Sequence, residues 1–317
     1  MTVITGGTGF IGAHLLELLA ARGERVRALV RRKTELPAGV EPVSCDLARA
    51  GDLDQALRGA DTVIHLAGVT KALRAADYYT GNLTATENLA RAAAGRGIRF
   101  VHVSSLAAVG PNPDRKPLTE DAEPLPITHY GKSKLEAERA VSHALPDAVI
   151  VRPPVVYGPR DRDVFQLLRS IARGTVVEIA GGERWFSAIY VKDLCQGILA
   201  AARSQNAPGR TYFLAHAKPL SWTEFGAAAA KILGRSPRLL KVPVPIAQGV
   251  GVCAEMVSRL TGKPGIISRE KIREARCTWW TCDTHRATEE LGFTASTGIE
   301  AGLAETLAWY KGAGWLA

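Results

Sequence analysis

Cysteine is scarce in this 317-residue chain, and the five present (Cys45, Cys195, Cys253, Cys277 and Cys282) form an odd, dispersed set without a C-x-x-C pair or a histidine at ligand spacing. That pattern excludes a disulfide framework and a zinc module, and predicts reduced thiols and no metal site. Aromatic residues make up only 6% of the chain, and no basic block interleaves with them. A nucleic-acid groove is therefore not expected, although the formal net charge is +9. The longest apolar stretch, near residues 242–252, is interrupted by Pro243 and Pro245 and is too short to cross a bilayer. A strand pattern that begins at residue 2 leaves no room for a signal peptide, so a cytoplasmic location is expected. Internal repeats are absent, and the short Ala227–Ala230 run needs only a helix to explain it.

What is present is an ordinary globular balance, 46% hydrophobic and 22% charged, in a chain long enough to bury a large core. Short β-branched runs near 2–5, 25–30, 42–45, 61–66, 98–104 and 148–152 alternate with helical patterns. Such alternation predicts an α/β fold, a doubly wound parallel sheet covered on both faces. After residue 157 the texture changes to an Arg-rich helix, Gly181-Gly182, an apolar stretch at 188–191, a long helix from Asp193 and a strand near 211–214 that returns to the sheet. From Ser221 onward the pattern reads as helices separated by Pro and Gly, ending in an amphipathic helix near 299–310. The expected division is a dinucleotide-binding domain over 1–157 with returning segments near 188–215. A smaller, mostly helical substrate-binding part takes up 158–187 and 216–317.

Two groups of residues carry chemistry. The first strand runs into Thr5-Gly6-Gly7-Thr8-Gly9-Phe10-Ile11-Gly12 and then an apolar helix. Glycines at 6, 9 and 12 suit, in turn, a tight turn, close approach of a pyrophosphate and close packing of helix on sheet. The free N–H groups and positive dipole end of the helix N-terminus would face the phosphates. In the second group, Tyr130 and Lys134 share one face of a helix. A phenol titrates near pH 10 and needs a neighbouring ammonium to act as a base near neutrality. Ser104 and Ser105 end the fifth strand, where only one of them can point into the cleft and share a substrate oxygen with Tyr130.

With these pieces in order, the chain resembles an extended short-chain dehydrogenase/reductase of the NAD(P)-dependent epimerase/dehydratase and 3β-hydroxysteroid dehydrogenase-like group, over essentially its whole length. Besides the glycine segment and Tyr130–Lys134, the matching pieces are Asp46-Leu47, His65-Leu66-Ala67-Gly68, Asn82–Leu89, Val103-Ser104-Ser105 and Arg152–Pro159. The resemblance implies Ser105, five residues before Gly110, as the substrate-oxygen donor and Tyr130 as the acid/base. It implies that Lys134 lowers the tyrosine pKa and holds the nicotinamide ribose, and that Asn82 is the helix asparagine of the catalytic set. One departure is Val109, where a tyrosine often precedes that glycine. Around the cofactor, Gly6, Thr8, Gly9, Phe10, Ile11 and Gly12 would form the phosphate turn. Asp46 and Leu47 would flank the adenine, Leu66-Ala67-Gly68 would pass under the adenosine ribose, and Tyr130, Lys134, Pro153 and Val155 would fix the nicotinamide half. A homodimer through the Tyr130 helix is the family habit.

The second strand ends on Arg31-Arg32-Lys33 with no acid at its tip. An acid there would accept from a ribose 2′-OH, whereas Arg31 and Arg32 would pair with a 2′-phosphate, so NADP is expected, with NAD as the alternative. Sugar-nucleotide members of the group usually carry an Asn before the Val-Tyr-Gly-Pro segment and an Arg further on, positions that here read Val155 and Phe186, with Arg184 as a possible substitute. The expected activity is hydride transfer between nicotinamide and a secondary alcohol or ketone, on an apolar or cyclic small molecule; Trp185, Phe186 and Tyr190 suit either a wall for that substrate or the core of the second domain. A redox-neutral epimerase or dehydratase is the alternative, and a non-catalytic NADP-sensing protein the remote one.

Overall fold

The computed structural model describes every residue except Lys33, Pro113, Ala180, Ile266 and Ala317, so Lys33 of the basic cluster lies outside the described residues. Seven strands form the central sheet: β1 (Thr2–Thr5), β2 (Val26–Val30), β3 (Val40–Ser44), β4 (Thr62–His65), β5 (Arg99–Val103), β6 (Val149–Arg152) and β7 (Thr211–Phe213). Their spatial order is β3-β2-β1-β4-β5-β6-β7, all parallel. This is the Rossmann-type α/β fold. The order reverses between β1 and β4, and ligands of such sheets bind outside the carboxyl ends of the strands at that reversal. The strands are short β-branched runs, and Val3, Ile4, Val63, Ile64, Val101 and Val149 are fully buried, as a sheet covered on both faces requires.

The helix Phe10–Ala21 buries Leu15, Leu16 and Leu19 against the sheet and packs on the helix Val191–Arg203. On the other face the helix Ala85–Ala93 packs against His129–Ala144. The Thr128 hydroxyl caps that helix by accepting from the Gly131 N–H at 3.1 Å. A buried ion pair ties it to β6: Arg152 Nη2 and Nε reach the Glu138 carboxylate at 2.7, 3.1 and 3.2 Å. A second core gathers Phe165, Leu168, Phe186, Phe225, Leu303 and Tyr310 from the helices Asp163–Ala172, Trp222–Leu233 and Ile299–Gly312 and the strands beside them.

Two details differ from expectation. Ala188–Tyr190 pairs in parallel with Val155–Tyr157 in a small sheet of its own, apart from the central one. The region after Ser221 is not helical throughout: Arg238–Val242 is a strand, paired in parallel with Thr175–Ile179. Its Arg-Leu-Leu-Lys-Val sequence lacks alternation, because both its leucines are exposed.

Candidate active site

Gly6 takes φ +71°, and a Cβ on it would lie 2.6 Å from the Ala67 nitrogen on the neighbouring strand exit. A Cβ on Gly12 would lie 2.2 Å from the Gly6 carbonyl oxygen, so only glycine lets the helix begin this close to the turn. Gly9 and Thr8 are exposed, and Gly9 caps the helix with no side-chain hydrogen bond, leaving the first amides open to an anion. The edge is thus bare backbone at Thr8 and Gly9. Phe10 and Ile11 sit partly buried at the helix start, Phe10 edge-on to the His14 ring.

A directed hydrogen-bond chain backs this edge. The Ala67 N–H donates to Thr5 Oγ1 at 3.2 Å, Thr5 lies 2.6 Å from His65 Nδ1, and His65 Nε2 lies 2.8 Å from Thr86 Oγ1, which itself donates to the Asn82 carbonyl. The last donor fixes the others: Thr86 accepts from Nε2–H, and Nδ1 accepts from Thr5. Burial lowers the His65 pKa to about 3 and holds that of the stacked His102 ring, 5.3 Å away, well below its ordinary value.

Asn82, expected in the catalytic set, lies in a π-helical turn, Tyr79–Thr84. Its amide is occupied: Oδ1 accepts from Val69 N at 2.6 Å, and Nδ2 donates to the Val69 carbonyl at 3.0 Å and to Ser133 Oγ at 2.9 Å. Asn82 therefore clamps the Gly68-Val69 turn to the helix of Tyr130, a positioning role. Lys134 is 4% exposed and donates to the Val103 carbonyl at 2.8 Å, and its Nζ would lie 4.0 Å from a Cβ on Gly68. Burial pulls its pKa down to about 8 against the opposing field of Glu138.

Ser105 and Ser104 face opposite ways, as strand alternation requires. Ser104 is buried with an unpartnered hydroxyl, whereas Ser105 is partly exposed, accepts from Ala107 N at 3.1 Å and lowers the pKa of the neighbouring Tyr130 phenol. The Leu106 N–H donates to the Pro153 carbonyl at 2.9 Å, which joins the Ser105 turn to the end of β6. Burial raises the Tyr130 pKa, opposed by the Ser105 hydrogen bond and the charge of Lys271. Lys271 is a cation whose charge opposes that rise, while the Lys134 ammonium donates to the Val103 carbonyl at the end of β5. Sequence reading missed Lys271 and also Tyr78, whose ring lies 6.2 Å from that of Tyr130. Both border a cavity of about 430 Å³ between the Thr70–Tyr78 loop and the helices Val244–Thr261 and Arg269–Arg276. Only tertiary packing brings residue 271 to residue 130, so no local signal announced it.

Of the expected adenine-side residues, Asp46 is exposed and accepts from Ala48 N at 3.1 Å, while Leu47 is buried, its carbonyl accepting from Asn88. Arg31 and Arg32 at the tip of β2 are exposed and, among the described residues, unpaired. Arg27 is committed to Glu41 and to the carbonyls of Ala56 and Arg58. Val155 and Pro153 lie at the cleft end of β6, Pro153 buried. Arg184 does not replace the missing phosphate ligand: it is 7% exposed, and its donors go to the carbonyls of Ala275, Gly182 and Ile179. Of the two readings of Phe186 and Tyr190, the structure takes the core: both belong to the second cluster, with Phe186 stacked 4.4 Å from Trp222. Trp185 is half-buried and stacks on Trp279.

Residues 2–215 match the NAD dependent epimerase/dehydratase family. The chain belongs to that family. Like its relatives it is an NAD(P)-dependent oxidoreductase of the extended short-chain dehydrogenase/reductase type. It is 34% identical to a ceramide reductase of Caulobacter vibrioides, covering all of this chain and 96% of that one. A 4-epimerase of Escherichia coli O157:H7 acting on N-acetyl-alpha-D-glucosaminyl-diphospho-ditrans,octacis-undecaprenol is 27% identical over 96% of this family member and 93% of its own length. Among solved structures, MoeE5 in complex with UDP-glucose and NAD superposes with a TM-score of 0.80 at 26% identity, covering 98% of this chain and 99% of that one. No helix among the described residues is long and apolar enough to cross a membrane.

Proposed function

We propose that this family member carries out net hydride transfer between NADP and a secondary alcohol or ketone on an apolar or cyclic small molecule. The observation that carries the reading is the state of Arg184. It is buried and bonded to three backbone carbonyls, while Val155 and Phe186 are apolar, so the positions that would neutralise a nucleotide diphosphate offer no free cation. Relatives named as reductases of a ceramide and of a farnesyl dihydroquinoline oxide support the same direction.

When bound, the nicotinamide supplies hydride chemistry. Tyr130 donates its phenol proton to the carbonyl oxygen in reduction and takes a proton from the hydroxyl in oxidation, while Ser105 hydrogen-bonds the same oxygen. Lys134 holds the nicotinamide ribose and is positively charged below about pH 8. Arg31 and Arg32 pair with the 2′-phosphate. Residues 158–187 and 216–317 form the substrate-binding part, and two chains associate through the helix of Tyr130. Five free thiols fit a cytoplasmic enzyme.

The test is multiple-turnover consumption of NADPH with cyclic ketones and long-chain ketones, run beside sugar nucleotides with either cofactor. Steady oxidation of NADPH with a ketone is expected. Interconversion of a sugar nucleotide without net cofactor consumption, the reaction type of the 27% identical epimerase, would replace this reading.

A further inference from the structure

The helix Val244–Thr261 contains only two charged residues, Glu255 and Arg259. Its small residues turn inward: Ala247 and Gly251 are buried, and a Cβ on Gly251 would meet Ile272 Cδ1 at 2.5 Å, so this side lies on the helix Arg269–Arg276. Glu255 is bound by Arg269. The opposite side is a bare apolar stripe, with Ile246 58% exposed, Val250 48%, Val257 58% and Leu260 88%, at helical spacings of four, seven and three residues, beside Met256 at 60%. The chain enters this helix through Pro243 from the strand Arg238–Val242, whose Leu239 and Leu240 are both 54% exposed. Isolated exposed apolar side chains are ordinary, but a continuous face of this extent marks an interaction site.

Charge identifies the occupant. Between residues 235 and 276 the sequence has nine Lys and Arg against three Asp and Glu, so this segment carries six of the nine net positive charges of the whole chain. Two of the three acids are paired with Arg269 and Lys271, and the third, Glu270, accepts from the His129 N–H. Arg235, Arg238, Lys241, Arg259 and Lys263 are exposed and unpaired among the described residues. An apolar stripe flanked by unpaired cations and no free acid is complementary to an anionic lipid surface.

We propose that the helix Val244–Thr261 and the strand before it dock on the face of an anionic phospholipid bilayer, lying in the interface without crossing it. The same helix turns Ser258 and Arg259 to the cavity that reaches Tyr78 and, through it, Tyr130. Docking thus leaves the cavity on the side of the helix turned away from the bilayer, against the helix Arg269–Arg276. Docking does not depend on which reaction Tyr130 performs.

The full chain is floated with vesicles of phosphatidylcholine and phosphatidylglycerol, and with phosphatidylcholine alone, at low and high salt. Binding to the anionic vesicles that weakens with salt is expected. The Val257→Asp/Leu260→Asp double variant is expected to bind at least about tenfold more weakly, and Arg238→Glu/Lys241→Glu to lose most of the salt dependence. Circular dichroism and the thermal midpoint check folding of each variant; if the double variant unfolds, Leu260→Asp, at the most exposed position, replaces it. Absence of binding at low salt, or binding unchanged in the variants, overturns the proposal. So does sedimentation showing a self-association that Val257→Asp/Leu260→Asp abolishes, because a second copy then covers the face.

Discussion

Replacing Glu138 by Gln removes one charge from the buried pair that fastens the helix of Tyr130 and Lys134 to β6. Gln keeps the shape and one acceptor, but Arg152 is then left with that amide and a 3.4 Å contact to the Glu120 carbonyl, its guanidinium 5.9 Å from the Phe213 ring. An uncompensated buried charge costs about 3–5 kcal/mol, and the retained acceptor places the expected loss near the lower end. Urea unfolding at neutral pH measures it, alongside Arg152→Met and the Glu138→Gln/Arg152→Met double variant. The double variant removes the stranded charge and is expected to recover most of the loss. A second readout follows from the electrostatics. Glu138 holds the Lys134 pKa up against burial, so its removal moves that pKa below about 8, and the alkaline limb of the activity profile moves with it to lower pH. A single-variant loss under about 1 kcal/mol, or a double variant as unstable as the two singles combined, would refute the reasoning.

Tyr130→Phe should lower turnover by about 10²–10⁴-fold while leaving cofactor affinity intact, measured by steady-state rates and nicotinamide fluorescence. Arg31→Glu/Arg32→Glu should weaken NADPH by roughly tenfold or more and leave NADH nearly unchanged, since only the 2′-phosphate is addressed; equal effects on both would count against the NADP assignment. In Gly12→Ala the new methyl falls 2.2 Å from the Gly6 oxygen, and a loss of about 1–3 kcal/mol in stability with loss of cofactor binding is expected. The Lys134 pKa falls from 10.5 to about 8 on folding, so between those values the unfolded chain binds the extra proton and stability rises with pH. The full shift corresponds to roughly 3 kcal/mol of destabilisation below pH 8, which Lys134→Met should relieve in the cofactor-free protein.

The strands of the sheet were legible because each is a short apolar run between helical patterns, and the glycine turn because its spacing reflects a steric need visible at Gly6 and Gly12. Choosing Ser105 over Ser104 rests on the resemblance, and in the fold Ser104 is buried while Ser105 is partly exposed. What sequence did not disclose depends on contacts across long separations. Arg184 is a free cation by sequence and bound to three carbonyls in the fold, Phe186 and Tyr190 suit a wall or a core until packing decides for the core, and nothing in the sequence links Lys271 to Tyr130. The apolar stretch near 242–252 marks only the first half of the exposed stripe, since periodicity records which residues share a face and not whether anything covers it.

The chain from Ala67 through Thr5, His65 and Thr86 to Asn82 has one sense: each group donates onward or accepts in turn, and the neutral His65 is the only member able to do both with its ring. A proton on His65 gives it two donors and no acceptor, so the Thr5 hydroxyl loses its target and the polarity of the chain is broken in the middle. The two ends of that chain are the Ala67 turn facing Gly6 and the Asn82 clamp on Gly68 and Val69. A proton on that ring therefore loosens the Ala67 turn facing Gly6 from the Asn82 clamp on Gly68 and Val69.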